Sequence, residues 1–261
     1  MTDNSFLAQY GPVAVVTGAS SGIGKSFAQR LAALGFDLVL VARRVDRLMT
    51  LADELQQAHG RDVRVCGIDL SSPAAPQQIL DATADLDVGL VVSNAGFGLK
   101  GEHAANDPQA MTDMLMVNCH VPMLLAHGFI PRLRQRGKGG LLFTSSVEGL
   151  IGCPYSTAYS ASKALVNSLG EGLWAELKPE GIDVLTICPG ATDTEAAALQ
   201  GIDPATLQNV MSPDDVAQLA LDNLGNGPTF ITSEHYRASF ETLLSMPRRD
   251  ALMAMARGMK R

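Results

Sequence analysis

Thr17-Gly18-Ala19-Ser20-Ser21-Gly22-Ile23-Gly24 follows an apolar run, Val13 to Val16, and opens an amphipathic segment near Lys25. The order reads strand, tight turn, helix. Gly18, Gly22 and Gly24 permit backbone conformations closed to other residues, let the chain approach a pyrophosphate closely, and leave helix N–H groups free to bind it. A dinucleotide is the natural tenant, with Gly18, Ser20, Ser21, Gly22, Ile23 and Gly24 as its candidate contacts. The spacing is G-x-x-x-G-x-G rather than the commoner G-x-G-x-x-G, and in a chain with 25 glycines only its place after a strand gives the pattern weight.

Working outward, apolar runs recur at 13–17, 37–42, 63–68, 88–92, 140–145, 182–188 and 228–232, and helical periodicity fills most of the intervals. Near-continuous apolar strands separated by helices imply a parallel sheet covered on both faces, because a half-exposed strand would alternate polar and apolar residues. The expectation is an α/β fold: a Rossmann-like, doubly wound parallel sheet in three α/β/α layers and a single domain over 1–261. The longest helical candidates are 109–136 and 155–178, the second ended by Pro179. A segment rich in Ala, Thr, Asp and Gly at 190–215 falls beyond the carboxyl end of a strand, where such sheets bind ligands, and is expected to be a substrate lid.

A length of 261 residues with 46% hydrophobic residues supports one sizeable core. The net charge of −7 excludes a general nucleic-acid binder, which needs a basic face. The four cysteines, Cys66, Cys119, Cys153 and Cys188, form no C-x-x-C pair, and the five histidines show no ligand spacing, so no metal is expected. Reduced thiols, no leader-like start and no apolar run of membrane-spanning length point to a soluble, cytoplasmic chain with no membrane partner.

Tyr159 and Lys163 stand one helical turn apart, which alone is weak evidence of chemistry. Ser145 and Ser146 end the run Leu141-Leu142-Phe143-Thr144, and Asn94-Ala95-Gly96 follows another strand, so polar groups collect at the carboxyl ends of the sheet. With these motifs the chain resembles the compact branch of the short-chain dehydrogenase/reductase family from about residue 13 to residue 194. Thr17 to Gly24 matches the family's glycine turn, Asp69, followed by Leu70, its acidic residue beside the adenine, and Asn94-Ala95-Gly96 the motif that steadies the central sheet. Asn118, Ser146, Tyr159 and Lys163 match its catalytic tetrad, Ser146 being preferred to Ser145 by its spacing from the tyrosine. Pro189-Gly190, Thr192 and Thr194 match the segment holding the nicotinamide carboxamide.

The resemblance implies a carbonyl–alcohol interconversion by hydride transfer. Tyr159 is then the general acid–base, its pKa expected to fall beside the Lys163 ammonium and an oxidised nicotinamide. Ser146 polarises the carbonyl, Lys163 also binds the nicotinamide ribose, and Asn118 bends its helix and holds a water that links the lysine to solvent. Where NAD-specific relatives end their second strand in Asp or Glu, this chain has Ala42 followed by Arg43-Arg44, so NADP(H) is favoured. A 3-oxoacyl thioester reductase is the alternative enzyme. A non-catalytic dinucleotide-binding regulator is the alternative outside catalysis, although it needs neither Tyr159 nor Ser146.

The residues after Ser146 (Leu150, Ile151, Cys153, Pro154, Tyr155) and those of the lid (Ala196, Ala197, Ala198, Leu199, Ile202, Met211) include no Lys or Arg, which predicts a pocket for an uncharged, mainly apolar carbonyl compound. Glu148 is expected to repel an anion or to hydrogen-bond a second substrate hydroxyl. Helices 109–136 and 155–178 are the expected interface of a homodimer or homotetramer. The Met-rich basic tail within 236–261 is expected to be helical and to pack on its own subunit or a neighbour.

Overall fold

All seven apolar runs are strands, each within one residue of its expected bounds. Among the described residues, 3–200 and 203–259 of this computed structural model, they form one parallel sheet in the order β3-β2-β1-β4-β5-β6-β7. The chain runs α1 (Asp3–Tyr10), β1 (Val13–Thr17), α2 (Gly22–Ala33), β2 (Asp37–Ala42), α3 (Val45–His59), β3 (Val63–Gly67), α4 (Ala75–Ala82) and β4 (Val88–Ser93). It continues with α5 (Pro108–Leu115), α6 (Val121–Arg136), β5 (Gly139–Thr144), α7 (Thr157–Leu177) and β6 (Ile182–Cys188). The last elements are α8 (Glu195–Leu199), α9 (Pro213–Asp222), β7 (Thr229–Ile231), α10 (Glu234–Ser245) and α11 (Arg248–Met259). The strand order reverses between β1 and β4, and this switch point opens the crevice at their carboxyl ends.

Strands β1, β4 and β5 are buried along their whole length, which accounts for their unbroken apolar composition. One face of the sheet packs on α2, α3 and α9 through Phe27, Leu31, Leu48, Leu51 and Val216. The other packs on α4, α6 and α7 through Ile79, Leu125, Phe129, Leu133 and Val166. By length and composition the rod Pro108–Arg136 is apolar enough to cross a membrane, yet Leu125, Phe129 and Leu133 are fully buried against the sheet. Helix α7 lies so close to β6 that a Cβ built on Gly170 would overlap Thr186 Oγ1. Helix α1 has no counterpart in the sequence reading. It buries Phe6 and Tyr10, and the Tyr10 hydroxyl donates to Asp183 at 2.8 Å.

The segment 190–215, expected to be a lid, ends in a helix. Ser212 caps α9 by accepting the Asp215 N–H at 3.0 Å, and from there Val216, Ala217, Ala220 and Leu221 are core residues. Between β6 and Ser212 the described residues form α8 and a 3₁₀ turn, Pro204–Thr206; Ile202 lies outside the described residues. The tail is two helices, and they pack on the chain's own segment 147–153: Phe240 and Ala251 are buried in a cluster with Val147, Ile151, Cys153 and Cys188. Lys260 and Arg261 lie outside the described residues.

Candidate active site

At the glycine turn, Gly18 has φ +69 and a Cβ there would come within 2.9 Å of Ala95 Cα; a Cβ on Gly24 would overlap the Gly18 carbonyl. Only glycine fits either place. No side chain caps α2, so its first N–H groups remain available to a phosphate. Ser20 and Ser21 accept from Arg44 Nη2 at 3.0 and 2.7 Å. Arg44 also pairs with Glu195 at 2.7 Å, and Arg47 with the same carboxylate at 2.6 Å; these two guanidinium groups hold Glu195 down to about 2. Arg43 points elsewhere, lying exposed near Asp69, so Arg44 is the guanidinium at the turn. Asp69 is held below the usual carboxylate range by the N–H and hydroxyl of Ser71 and then by Arg43, while Leu70 behind it is buried.

Thr17, Asn94 and Thr144 join the ends of β1, β4 and β5. The N–H groups of Asn94 and Ala95 donate to Thr17 Oγ1 at 3.0 and 3.1 Å, Asn94 Nδ2 donates to the Thr17 carbonyl at 3.2 Å, and Asn94 Oδ1 accepts from Thr144 Oγ1 at 3.1 Å. Gly96 then passes so near the centre that a Cβ would lie 3.0 Å from Lys163 Nζ and 3.1 Å from Asn118 Oδ1.

Asn118 sits in a five-residue π-helical turn, Met116–His120, between α5 and α6. This is the local bend that the resemblance implies, and such turns re-aim side chains within a helix. Its Oδ1 accepts from the Phe97 N–H at 3.1 Å, and its Nδ2 donates to the Phe97 carbonyl at 2.9 Å and to Ser162 Oγ at 3.0 Å. The two adjacent serines divide their work. Ser145 Oγ donates to the Lys163 carbonyl at 2.9 Å and ties β5 to α7, whereas Ser146 Oγ accepts from the Glu148 N–H at 3.1 Å beside Tyr159.

Lys163 is 3% exposed, and its Nζ donates to the Thr144 carbonyl at 2.8 Å. Burial lowers it to about 8, opposed by Cys119 and Cys188. The expected fall of the Tyr159 phenol rests on Lys163 together with an oxidised nicotinamide, and the protein's own groups are a separate matter. The protein's own groups push it up, first through desolvation and then through the Glu148 carboxylate, with the Ser146 hydroxyl acting in the opposite direction. Loss of hydration is the largest of these causes, and the Lys163 nitrogen stands 5.7 Å from the ring centre.

A third segment contributes to the pocket. Lys100, on the loop after β4, reaches Glu148 with Nζ at 2.6 and 2.9 Å from its two oxygens, donates to Ser156 Oγ at 3.0 Å, and lies 5.7 Å from the Tyr159 ring centre. The site therefore holds a basic residue that the reading of the 146–155 and 190–212 segments did not contain, and Glu148 is paired rather than free. No spacing rule connects residues 100 and 148; they meet because adjacent strands β4 and β5 deliver both loops to one edge. Pro189 accepts the Val147 N–H at 3.1 Å, Thr192 Oγ1 donates to the Gly190 carbonyl at 3.2 Å, and Thr194 caps α8. A Cβ on Gly22 would lie 3.0 Å from Thr194 Cγ2, so this segment closes over the glycine turn.

A sequence model of the short chain dehydrogenases matches residues 12–203. A 7beta-hydroxysteroid dehydrogenase of Clostridium sardiniense is 30% identical over 97% of this chain and 97% of its own. A very-long-chain 3-oxoacyl-CoA reductase of Aspergillus fumigatus is 36% identical over 68% of this chain but 54% of its own. A short-chain dehydrogenase from Sphingobium yanoikuyae, solved in complex with NADPH, is 34% identical and superposes with a TM-score of 0.83 over 94% of this chain and 95% of that one. The glycine turn, the joined strand ends and the Ser–Tyr–Lys–Asn centre thus sit on a framework shared along nearly the whole chain, which belongs to the short-chain dehydrogenase family.

Proposed function

We propose that this oxidoreductase interconverts an uncharged ketone and its secondary alcohol with NADP(H), using Tyr159 as general acid–base. The observation that carries the reading is the buried Lys163 ammonium, held by the Thr144 carbonyl, near a phenol that adjoins Ser146. NADPH, when bound, supplies the hydride to the carbonyl carbon. Tyr159 Oη gives its proton to the resulting alkoxide, and in the reverse direction takes it back. Ser146 Oγ donates to the substrate oxygen and steadies the charge that develops there. Lys163 supplies positive charge to the phenolate and a donor to the cofactor ribose. Asn118 holds the Phe97 peptide and Ser162 in place, which fixes the floor beneath Lys163.

The residues fit a phosphorylated dinucleotide. Gly18, Ser20, Ser21, Gly22, Ile23 and Gly24 line the turn, β2 ends in Ala42 with no carboxylate to oppose a 2′-phosphate, and Arg44 stands at the turn. Asp69, Leu70, Asn94, Ala95 and Gly96 follow along the crevice, and Pro189, Gly190, Thr192 and Thr194 close it. The NADPH bound by the Sphingobium relative supports the same choice. The full-length hydroxysteroid relative favours a secondary alcohol on a bulky skeleton, and the Aspergillus relative, of which this chain spans about half, keeps a 3-oxoacyl thioester as the second reading. The proposal includes a cytoplasmic location and a homodimer or homotetramer, the assembly being supported by exposed Leu115, Met123 and Leu165 on α5, α6 and α7.

The test is oxidation of NADPH and NADH with a panel of bulky ketones and 3-oxoacyl thioesters. NADPH binding should be tighter than NADH binding by roughly ten- to a hundredfold, the scale of charge-assisted contacts to one phosphate. Ala42→Asp combined with Arg44→Ala should reverse that order. Equal dissociation constants in the parent protein would refute the cofactor reading, and turnover confined to thioesters would move the substrate to the second one.

A further inference from the structure

The Lys100–Glu148 pair has no assigned step in the proton transfer proposed above, yet it is held on several sides. Its side chains are only 20% and 23% exposed. Lys100 is fixed by Ser156 Oγ as well as by both carboxylate oxygens, and the neighbouring Gly101 N–H donates to the Tyr155 carbonyl at 2.8 Å. Tyr155 itself holds φ +57, a left-handed conformation that a tyrosine adopts only when its surroundings impose it. Two loops from neighbouring strands are therefore stitched together next to the reacting phenol. The same loop faces the lid: a Cβ on Gly98 would lie 3.0 Å from Gln200 Oε1 and 3.1 Å from Tyr159 Cδ2.

Building on the ketone–alcohol reading above, we infer that Lys100 and Glu148 form a polar subsite that selects substrates carrying an uncharged hydroxyl group away from the reacting carbonyl. The selection follows from what each visitor does to the pair. A hydroxyl accepts from the Lys100 ammonium and donates to the Glu148 carboxylate, so both charges stay satisfied. A carboxylate competes for Lys100 and sets two anions side by side in a partly desolvated place, and an ammonium does the converse beside the Tyr159 ring. A methyl group in the same position gains neither bond but leaves the pair closed. The order of preference is hydroxyl, then methyl, then carboxylate.

The test uses three cyclohexanones substituted opposite the carbonyl, 4-hydroxycyclohexanone, 4-methylcyclohexanone and 4-oxocyclohexanecarboxylate, and the matching 3-substituted set. Their kcat/KM values with NADPH are compared, together with calorimetric affinities for the NADP⁺-loaded Tyr159→Phe protein, in which neither the ketone nor the hydroxyl of the hydroxycyclohexanones is turned over. The parent protein should favour the hydroxyl over the methyl compound by about tenfold in at least one set, with the carboxylate last. Lys100→Met with Glu148→Gln should bring the hydroxyl-to-methyl ratio within twofold of unity, its fold being checked by NADPH affinity. A ratio of one in the parent, a ratio that survives in a folded double variant, or preference for the carboxylate overturns the subsite. If no ketone is reduced, the ketone–alcohol reading fails, and the calorimetric ranking still decides the subsite by itself.

Discussion

Two ammonium groups stand 5.7 Å from the centre of the Tyr159 ring, and their surroundings could hardly differ more. Lys163 rises from the same helix as the tyrosine, is sealed from water, and has a peptide carbonyl for its partner. Lys100 comes from a loop of another strand and has its charge cancelled by Glu148. A cation without a counter-ion acts on the phenol, whereas one locked to a carboxylate contributes little field and instead shapes what can approach. Distance alone therefore says nothing about role; the partner of the charge does.

The largest effect is expected from removing the group both lysines face. Tyr159→Phe should lower kcat by at least about a thousandfold while NADPH affinity stays within about threefold, because the transferable proton goes and the ring remains. Retained hydride transfer in that variant, measured on a ketone the parent reduces, would end the proposed mechanism.

Stability also separates the two lysines. Lys163 titrates at about 8 when folded, against 10.5 for a free lysine. Between those values the unfolded chain binds more protons, so stability rises with pH across the window; below it the full penalty of a buried charge is present, and above it the penalty is gone. Lys163→Met, which carries no such penalty, should be the more stable protein at pH 7, and its lead should shrink by up to roughly 3 kcal/mol between pH 8 and 10.5. Urea unfolding of both proteins across that range reads the gap directly, and a constant gap would mean the ammonium is not desolvated.

Lys100 should answer differently. Lys100→Met leaves Glu148 unpaired near the phenol and disfavours the phenolate, so the alkaline-rising limb of alcohol oxidation should move up by about one pH unit. Adding Glu148→Gln should bring it back, with Lys163, Cys153, Cys188 and Ser146 facing the phenol unchanged throughout. An unmoved limb in Lys100→Met would show that Glu148 does not reach Tyr159 electrostatically.

The smallest effect belongs to Glu195. Its exposed pairs with Arg44 and Arg47 occupy guanidinium groups beside the turn, and such pairs are worth at most about 1 kcal/mol. Glu195→Gln should tighten NADPH by no more than about fivefold and leave NADH unchanged; equal tightening of both would show that the carboxylate does not compete with a 2′-phosphate.

What was legible before any coordinates divides along the same line. Strands such as Leu38 to Ala42 could be read because burial on both faces demands unbroken apolar residues, and Ser146 could be separated from Ser145 by its distance in sequence from Tyr159. Arg44 could not be separated from Arg43, since which one turns to Ser20 and Ser21 depends on how α3 leaves the strand. The Lys100–Glu148 pair was invisible for a deeper reason: it is a contact between loops, and no periodicity records it. Helix α1 escaped because its eight residues carry only a weak amphipathic pattern. The upward push of burial on Tyr159 is equally hard to read, because a neighbouring charge can be named from sequence, whereas the water lost on burial cannot.

Gly170 has one more consequence. With no side chain between α7 and Thr186, the helix is clamped to β6 at that point and behaves as a rigid ruler whose far end carries Tyr159 and Lys163. Their spacing is set by the helix, but their height above the sheet is set at the clamp, about two to three turns away. A single methyl group at residue 170 would act like a shim under a beam, lifting donor and ammonium together and detuning the reaction from a position that no substrate or cofactor touches.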